Sequence, residues 1–261
     1  MVLQFQAELA VAHSAVAAEL PQGWAAAHGF TALQSRAQSH REFLLRPDLG
    51  RRLDDASLAE VRKLRAVGTK VDVQLILADG LSATACMAGG EALYAATRDA
   101  CLARGLTVGP PVCAKFARVW LEDEIGQELG AKVAVILLGE RPGLGTGDGL
   151  SAYLVYQPTV GKTDGDRNMM SNLHARGTPA HEAAPRLAAL VAAMIAQRTS
   201  GVTLELSGVG AGGRGYRAPQ ERQRLVELTD RGERGDRGAS GANGASGERE
   251  DQSAQRARGA R

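Results

Sequence analysis

The chain has 261 residues, of which 44% are hydrophobic, and its formal net charge is +2 at pH 7. This length can bury one sizeable core or two small ones. Because 31 basic residues face 29 acidic ones, the overall charge does not favour nucleic acid or an anionic membrane as a partner. The apolar runs fall short of the roughly 20 residues that cross a bilayer, so we expect no membrane-spanning segment.

The cysteines and the N-terminus predict a cytoplasmic protein. The three cysteines, Cys86, Cys101 and Cys113, form no closely spaced pair and leave an odd one over, which is typical of a reducing compartment. The first residues carry Glu8 and Glu19 in an alanine-rich amphipathic pattern, and they lack the basic and apolar segments of a secretory signal. We therefore expect neither a disulfide framework nor secretion.

Residues 1–65 are predicted to form a helical N-terminal region. Apolar and alanine positions recur at helical spacing from Leu3 to His28, where a proline and a glycine interrupt the run. The segment Thr31 to Phe43 is also predicted to be helical. The Arg46–Gly50 turn should end it, because proline disfavours a helix for the residue before it.

Residues 66–206 are predicted to form an α/β domain with a Rossmann-like, mostly parallel sheet. Predicted strands lie in the apolar runs Val71–Ala78, Pro110–Leu121, Lys132–Leu138 and Tyr153–Tyr156, and predicted helices at Ala83–Ala103, Asp123–Leu129 and His181–Gln197. Strands that alternate with helices are typical of a parallel sheet. The last helix is strongly amphipathic and should cover one face of that sheet.

Residues 207–261 are predicted to be a disordered tail rich in glycine and arginine. Glycine, arginine, alanine and serine dominate this segment, and few of its side chains could pack in a core. Carboxylates interspersed among the arginines argue against a basic arm that binds nucleic acid.

The most informative segment is glycine-rich and directly follows the third predicted strand. It reads GERPGLGTGDG from Gly139 to Gly149. Open α/β sheets bind ligands at the carboxyl ends of their strands, and glycines let backbone groups approach a ligand closely. Glu140 adds a charged acceptor and Arg141 a planar donor fork. Local chemistry alone leaves both a large polar ligand and a simple tight turn open.

Three other kinds of site fit the sequence poorly. The loop glycines alternate and so lack the G-x-G-x-x-G spacing of a dinucleotide turn, and Tyr156 stands where a phosphate loop ending at Lys162 needs glycine. Ser82 is the nearest candidate nucleophile, but it has no flanking glycine pattern and no histidine is tied to it. The histidines match no zinc motif. We assign no catalytic residue and no metal site.

Five strings spread along the chain are more specific than any of these motifs. They read SRAQSHREFLLRPDLGRRL (35–53), LILADGLSA (75–83), ARVWLEDEIGQELGA (117–131), ILLGERPGLGTGDGLSAYLVY (136–156) and TDGDRNMMSNLHARGTPAHEAA (163–184). In this order and at these separations they resemble the ethanolamine ammonia-lyase small subunit family. The resemblance covers nearly everything from Leu3 to about Ser207.

The resemblance implies a small subunit that is active only with a large subunit, which carries the substrate in a (β/α)8 barrel. The complex would be an adenosylcobalamin-dependent lyase that converts ethanolamine to acetaldehyde and ammonia, and this chain would help to hold the cofactor at the interface. Since the radical chemistry belongs to the cofactor, no catalytic residue is expected here. The family is often associated with bacterial microcompartments, although the sequence has no recognisable encapsulation signal.

By similarity, Val119, Glu140 and Met169 would contact the cobalamin. Its amides, phosphate and benzimidazole require donors, acceptors and flat apolar contacts. The family commonly has cysteine where this chain has Met169, so a thiol is lost and a polarizable apolar side chain is kept. The chain also lacks the D-x-H-x-x-G string that replaces the benzimidazole in other cobalamin proteins, which implies base-on cobalamin.

Two alternatives from other classes stay open at this point. One is a scaffold or interaction protein that has lost cofactor binding, with Met169 and the long tail as signs of that loss. The other is a free-standing nucleotide-binding α/β enzyme, which the failed glycine spacings weaken.

Overall fold

The computed structural model describes residues 6, 9–10, 14–65, 70–143 and 147–207. The predicted disordered tail lies outside the described residues from position 208 onward. In chain order the elements are α1 (Trp24–Ala27), β1 (Thr31–Gln34), α2 (His40–Leu45), α3 (Asp55–Arg65), β2 (Val73–Ala78), α4 (Ala83–Ala85), α5 (Glu91–Leu102), β3 (Val112–Lys115), α6 (Leu121–Leu129), β4 (Val133–Gly139), β5 (Leu150–Tyr156), β6 (Arg167–Leu173) and α7 (Ala180–Gln197). A π-helical turn, Cys86–Gly90, joins α4 to α5.

The strands form one six-stranded sheet in the order β1-β3-β2-β4-β5-β6. The first four strands are parallel, and β5 and β6 extend the sheet through antiparallel pairs. The predicted mostly parallel α/β fold is therefore confirmed. The strands β2 and β4 are buried along their whole length, as expected for the centre of a parallel sheet with helices on both faces.

Three segments differ from the sequence prediction. The strand expected over Pro110–Leu121 is limited to β3, Val112–Lys115, and Leu121 begins α6. The helix expected over Thr31 to Phe43 is wrong in its first part, because Thr31–Gln34 form β1 and pair in parallel with β3. The helix over His40–Leu45 is present and begins at Ser39, whose side chain accepts a hydrogen bond from the Glu42 N–H. The strand β6 was not predicted, because its sequence RNMMSNL is largely exposed and lacks an apolar alternation.

The two faces of the sheet carry separate cores. On one face, α5 and α7 pack on the side chains of alternate strand residues such as Leu75 and Leu137. On the other face, α3 and α6 pack on Ile76 and Ile136, as the period of two along a strand requires. This second face is open where β5 and β6 extend beyond the helices, since Met169 there is 56% exposed.

The loops after β2 and β4 meet at the carboxyl ends of these neighbouring strands. The chain leaves β2 toward β3 and leaves β4 toward β5 on the opposite side, and such a divergence marks the ligand crevice of open α/β sheets. Gly80 has a φ of +55°, and the Leu81 N–H donates to the Gly139 carbonyl over 2.8 Å. A Cβ on Gly139 would collide with the carbonyl oxygens of Asp79 and Ser82. Glycine is therefore required at this contact.

No described helix is both long enough and apolar enough to span a bilayer.

Candidate functional site

A pocket of about 330 Å³ opens beside the glycine-rich segment, where β4 ends and β5 and β6 run side by side. Its lining includes Glu140, Arg141, Ser151, Tyr153, Met169 and His174. The structure therefore brings together two of the three residues that the sequence singled out, Glu140 and Met169. The third, Val119, does not line this pocket.

Glu140 is held in place by hydrogen bonds to Gly149 and to Tyr153 of β5. Its backbone N–H donates to the Gly149 carbonyl over 3.0 Å, which closes the glycine-rich loop. The Tyr153 hydroxyl donates to Glu140 Oε1, also over 3.0 Å. Burial and the charge of Glu140 raise the pKa of Tyr153, so the hydroxyl keeps its proton and acts as the donor. Among the described residues no donor reaches Oε2, which leaves this oxygen available to a ligand.

Met169 lies on the same wall as Glu140. In the antiparallel pair of β5 and β6, Met169 stands directly opposite Tyr153, and side chains at paired positions are close neighbours. Its thioether side chain is 56% exposed on the open face of the sheet. A carboxylate, a phenol and a flexible apolar side chain thus form one continuous surface.

Val119 lies in the connection between β3 and α6. It is half-buried and packs against the same group of buried side chains as Tyr153, so both residues belong to the second face of the sheet. The buried carboxylate of Asp79 fixes this connection, because it accepts hydrogen bonds from the N–H groups of Phe116 (2.8 Å) and Ala117 (3.2 Å). Burial raises the pKa of Asp79 to about 7, although both N–H groups oppose the shift.

Two buried polar atoms in the pocket lining have no hydrogen-bond partner among the described residues. They are Ser151 Oγ and His174 Nδ1. Buried polar groups are almost always paired with protein, water or ligand. These atoms therefore favour a polar occupant of the pocket, and an amide group could donate to one and accept from the other.

Sequence reasoning missed Tyr153 and Ser151 as parts of the site. Both are polar and stand two positions apart on β5, and residues at this spacing share one face of a strand. Two polar residues on one face of an otherwise apolar strand indicate that this face contacts a polar group or solvent. The pairing of Tyr153 with Met169 had no local signal, because it depends on the register of β6.

A buried ion cluster joins the first residue of β6 to α6. Arg167 of β6 donates to Glu122 Oε1 over 2.7 Å and to both carboxylate oxygens of Asp123 over 2.9 and 2.6 Å. All three side chains are at most 3% exposed. One guanidinium cannot neutralise two buried carboxylates. Burial raises the pKa of Glu122 to about 8, against the opposing charge of Arg167.

Glu122→Gln is expected to remove part of the pH dependence of stability. The folded-state pKa of Glu122, about 8, lies above the ordinary 4.5, so the stabilising contribution of its proton is complete below about pH 4.5 and is lost as the pH rises through 8. The free energy of unfolding in urea should be equal for variant and parent at pH 5, and it should be higher for the variant at pH 9. Glu60→Gln, at an exposed pair with Lys63, is the control. Equal pH profiles for parent and Glu122→Gln would contradict an uncharged Glu122.

The described residues form neither a hydrolase triad at Ser82, nor a phosphate-binding loop at Lys162, nor a metal site. Ser82 accepts a hydrogen bond from the Ala85 N–H and donates to the Gly147 carbonyl, so it caps α4 and has no histidine partner. Lys162 lies 4.0 Å from Asp166 in an exposed turn. Within the described ranges, no group of three or more His, Cys, Asp or Glu side chains is arranged to hold a metal ion. The three cysteines are buried and free.

Comparison with known proteins gives one consistent family. The sequence profile described as "Ethanolamine ammonia-lyase light chain (EutC)" matches residues 1–205. The chain is 36% identical over 204 residues to the ethanolamine ammonia-lyase small subunit of Clostridium acetobutylicum, which covers 78% of this chain and 84% of the relative. It is also 37% identical over 205 residues to the ethanolamine ammonia-lyase small subunit of Fusobacterium nucleatum subsp. nucleatum. That alignment covers 78% of this chain and 69% of the relative. The chain therefore belongs to the ethanolamine ammonia-lyase small subunit family.

Proposed function

We propose that this chain and a large barrel subunit together convert ethanolamine to acetaldehyde and ammonia, and that this chain helps to hold base-on adenosylcobalamin between them. The observation that carries the proposal is the wall formed by Glu140, Tyr153 and Met169, together with the family match over residues 1–205. When bound, adenosylcobalamin supplies the radical chemistry. The residues of this chain bind and orient the cofactor.

The residues of the pocket fit part of a cobalamin. Glu140 Oε2 would accept from an amide, Ser151 and His174 carry unpartnered polar atoms, and Met169 offers an apolar contact. Val119, on the adjoining connection, would contact the cofactor through its backbone or side chain. The cavity of about 330 Å³ is near the lower limit of the roughly 300–1,000 Å³ of small-molecule sites. The remainder of a corrinoid would have to be enclosed by the large subunit.

The decisive experiment is co-expression of this chain with the large subunit, followed by an assay of adenosylcobalamin-dependent acetaldehyde release. We expect release from the complex and none from either subunit alone. A well-assembled complex without acetaldehyde release would instead support the scaffold alternative. Base-on binding is tested in the same complex by electron paramagnetic resonance, where a protein histidine nitrogen on cobalt would contradict the proposal.

Tyr153→Phe is expected to weaken cobalamin binding by about three- to tenfold, the effect of one hydrogen bond lost. The substitution keeps the ring and removes only the donor that fixes Glu140. Binding of aquacobalamin to the complex would be measured by absorbance titration. Tyr156→Phe is the matched control, because the Tyr156 hydroxyl has no hydrogen-bond partner among the residues that the structure describes. Equal weakening by both variants would argue against a role for the Tyr153 hydroxyl.

A further inference from the structure

Three arginines gather at the carboxyl ends of the parallel strands, next to the residues proposed to contact cobalamin. Arg118 follows β3, Arg141 follows β4, and Arg51 ends the 3-10 turn Leu49–Arg51. Arg118 immediately precedes Val119 in the chain, and Arg141 immediately follows Glu140. Arg141 also lines the pocket. These three side chains are called the arginine cluster below.

The position of Arg118 is fixed by several contacts. Its guanidinium lies 4.2 Å from the centre of the Phe43 ring, and Nη2 donates to the Phe43 carbonyl over 3.0 Å. Its backbone N–H donates to the Gly50 carbonyl over 2.8 Å. A Cβ on Gly50 would lie 2.7 Å from Arg118 Cγ, so the glycine leaves room for this side chain. A guanidinium held in this way is preorganised for a ligand.

The positive charge of the cluster is not compensated within the described part of the chain. Arg51 lies 4.4 Å above the Trp120 ring and Arg141 is exposed, and none of the three arginines forms an ion pair with a described carboxylate. Arginines elsewhere do form short ion pairs, for example Arg52 with Glu124 at 2.8 Å and Arg62 with Glu128 at 3.1 Å.

Two further observations favour an anionic ligand for this cluster. Arg118 Nε is buried and has no hydrogen-bond partner among the described residues, which leaves a donor unsatisfied. Burial and the charges of Arg51 and Arg141 lower the pKa of Arg118. Like charges brought together at a partly buried position are unfavourable unless an anion lies between or beside them.

We propose that the arginine cluster binds the phosphodiester of the cobalamin nucleotide loop. This inference rests on the proposed function, and it adds a second contact region to the pocket of Glu140 and Met169. Guanidinium groups match the oxygens of a phosphate in charge and in planar geometry. The phosphodiester is an anionic group on a cofactor whose rim carries neutral amides, so the rim would meet the pocket and the phosphodiester would meet the cluster.

The test compares two corrinoids on the complex with the large subunit. Aquacobalamin carries the phosphodiester and diaquocobinamide does not. Arg118→Met and, separately, Arg141→Gln are expected to weaken aquacobalamin binding about tenfold or more, the loss of one charged hydrogen bond, with little effect on cobinamide. Arg98→Gln, at an exposed arginine paired with Asp99, is the matched control. Affinities are measured by absorbance titration, a readout independent of turnover.

The outcomes separate this inference from the proposed function. Selective weakening of aquacobalamin by the two cluster variants, together with competition by inorganic phosphate against aquacobalamin but not cobinamide, supports the phosphodiester site. Equal weakening of both corrinoids, or no weakening of either, overturns it while the proposed function stands. If both variants separate from the large subunit in gel filtration, the inference is also overturned. The arginines would then pair with carboxylates of the large subunit and not with the phosphodiester. A parent complex that binds neither corrinoid overturns both proposals.

Discussion

Arg167→Met is expected to lower the free energy of unfolding of the full chain by about 3–5 kcal/mol, the cost of removing one partner from a buried ion cluster. The substitution removes the guanidinium that bonds to both Asp123, 1% exposed, and Glu122. Urea unfolding at pH 7 measures the loss. The same substitution at Arg62, whose side chain is 60% exposed beside Glu128, is the control and should cost less than about 1 kcal/mol.

A double variant, measured at two pH values, tests the same cause of destabilisation. Addition of Asp123→Asn to the Arg167→Met variant should recover part of the stability, because the uncompensated charge is then removed. Recovery should be larger at pH 9 than at pH 5, since acid protonates the buried carboxylates in the absence of arginine. A loss of less than 1 kcal/mol for Arg167→Met alone would show that the cluster contributes little to the fold.

Gly139→Ala is expected to lower the free energy of unfolding by about 3 kcal/mol, at the upper end of typical overpacking costs. The added methyl group would collide with the backbone carbonyl oxygens of Asp79 and Ser82, and backbone atoms cannot rotate away as a side chain can. To relieve the collision, the loops after β2 and β4 must separate. The displacement would carry Glu140 with it, so we also expect weaker aquacobalamin binding by the complex.

The control for this variant is Gly89→Ala in the π-helical turn. The nearest atom to a Cβ there is Leu150 Cδ1 at 3.8 Å, an ordinary contact, and alanine reduces the conformational entropy of the unfolded chain. Stability should therefore stay equal or rise slightly. If Gly139→Ala were as stable as Gly89→Ala and bound aquacobalamin equally well, the close approach of the two loops would not be required.

The centre of the sheet was predictable because its strands are buried on both faces. Short, nearly continuous apolar runs such as β2 and β4 are typical of central strands in a parallel sheet. The strand β1 was misread as a helix, because its four residues TALQ carry too short a pattern to outweigh the neighbouring helical spacing. Its pairing with β3, residues 112–115, is a long-range contact that local propensity does not encode.

The site was predictable in part, and for a different reason. Glu140 and Met169 were identified through the family resemblance, and their shared wall depends on the pairing of Tyr153 with Met169 across two antiparallel strands. Sequence spacing cannot give that register. The arginine cluster was equally hidden, since residues 51, 118 and 141 are far apart in the chain and approach one another only in the folded protein.

The open face of β5 and β6 has a consequence for how this protein tolerates change. A residue that projects from that face is not constrained by close packing, so its replacement alters surface chemistry with little cost to folding. Met169, 56% exposed, occupies such a position, whereas Leu154 and Leu173 of the same strands are buried. Substitutions on the pocket wall therefore do not disturb the packing of the core. A substitution of Met169 therefore changes the chemistry of the pocket wall and leaves the packed core intact.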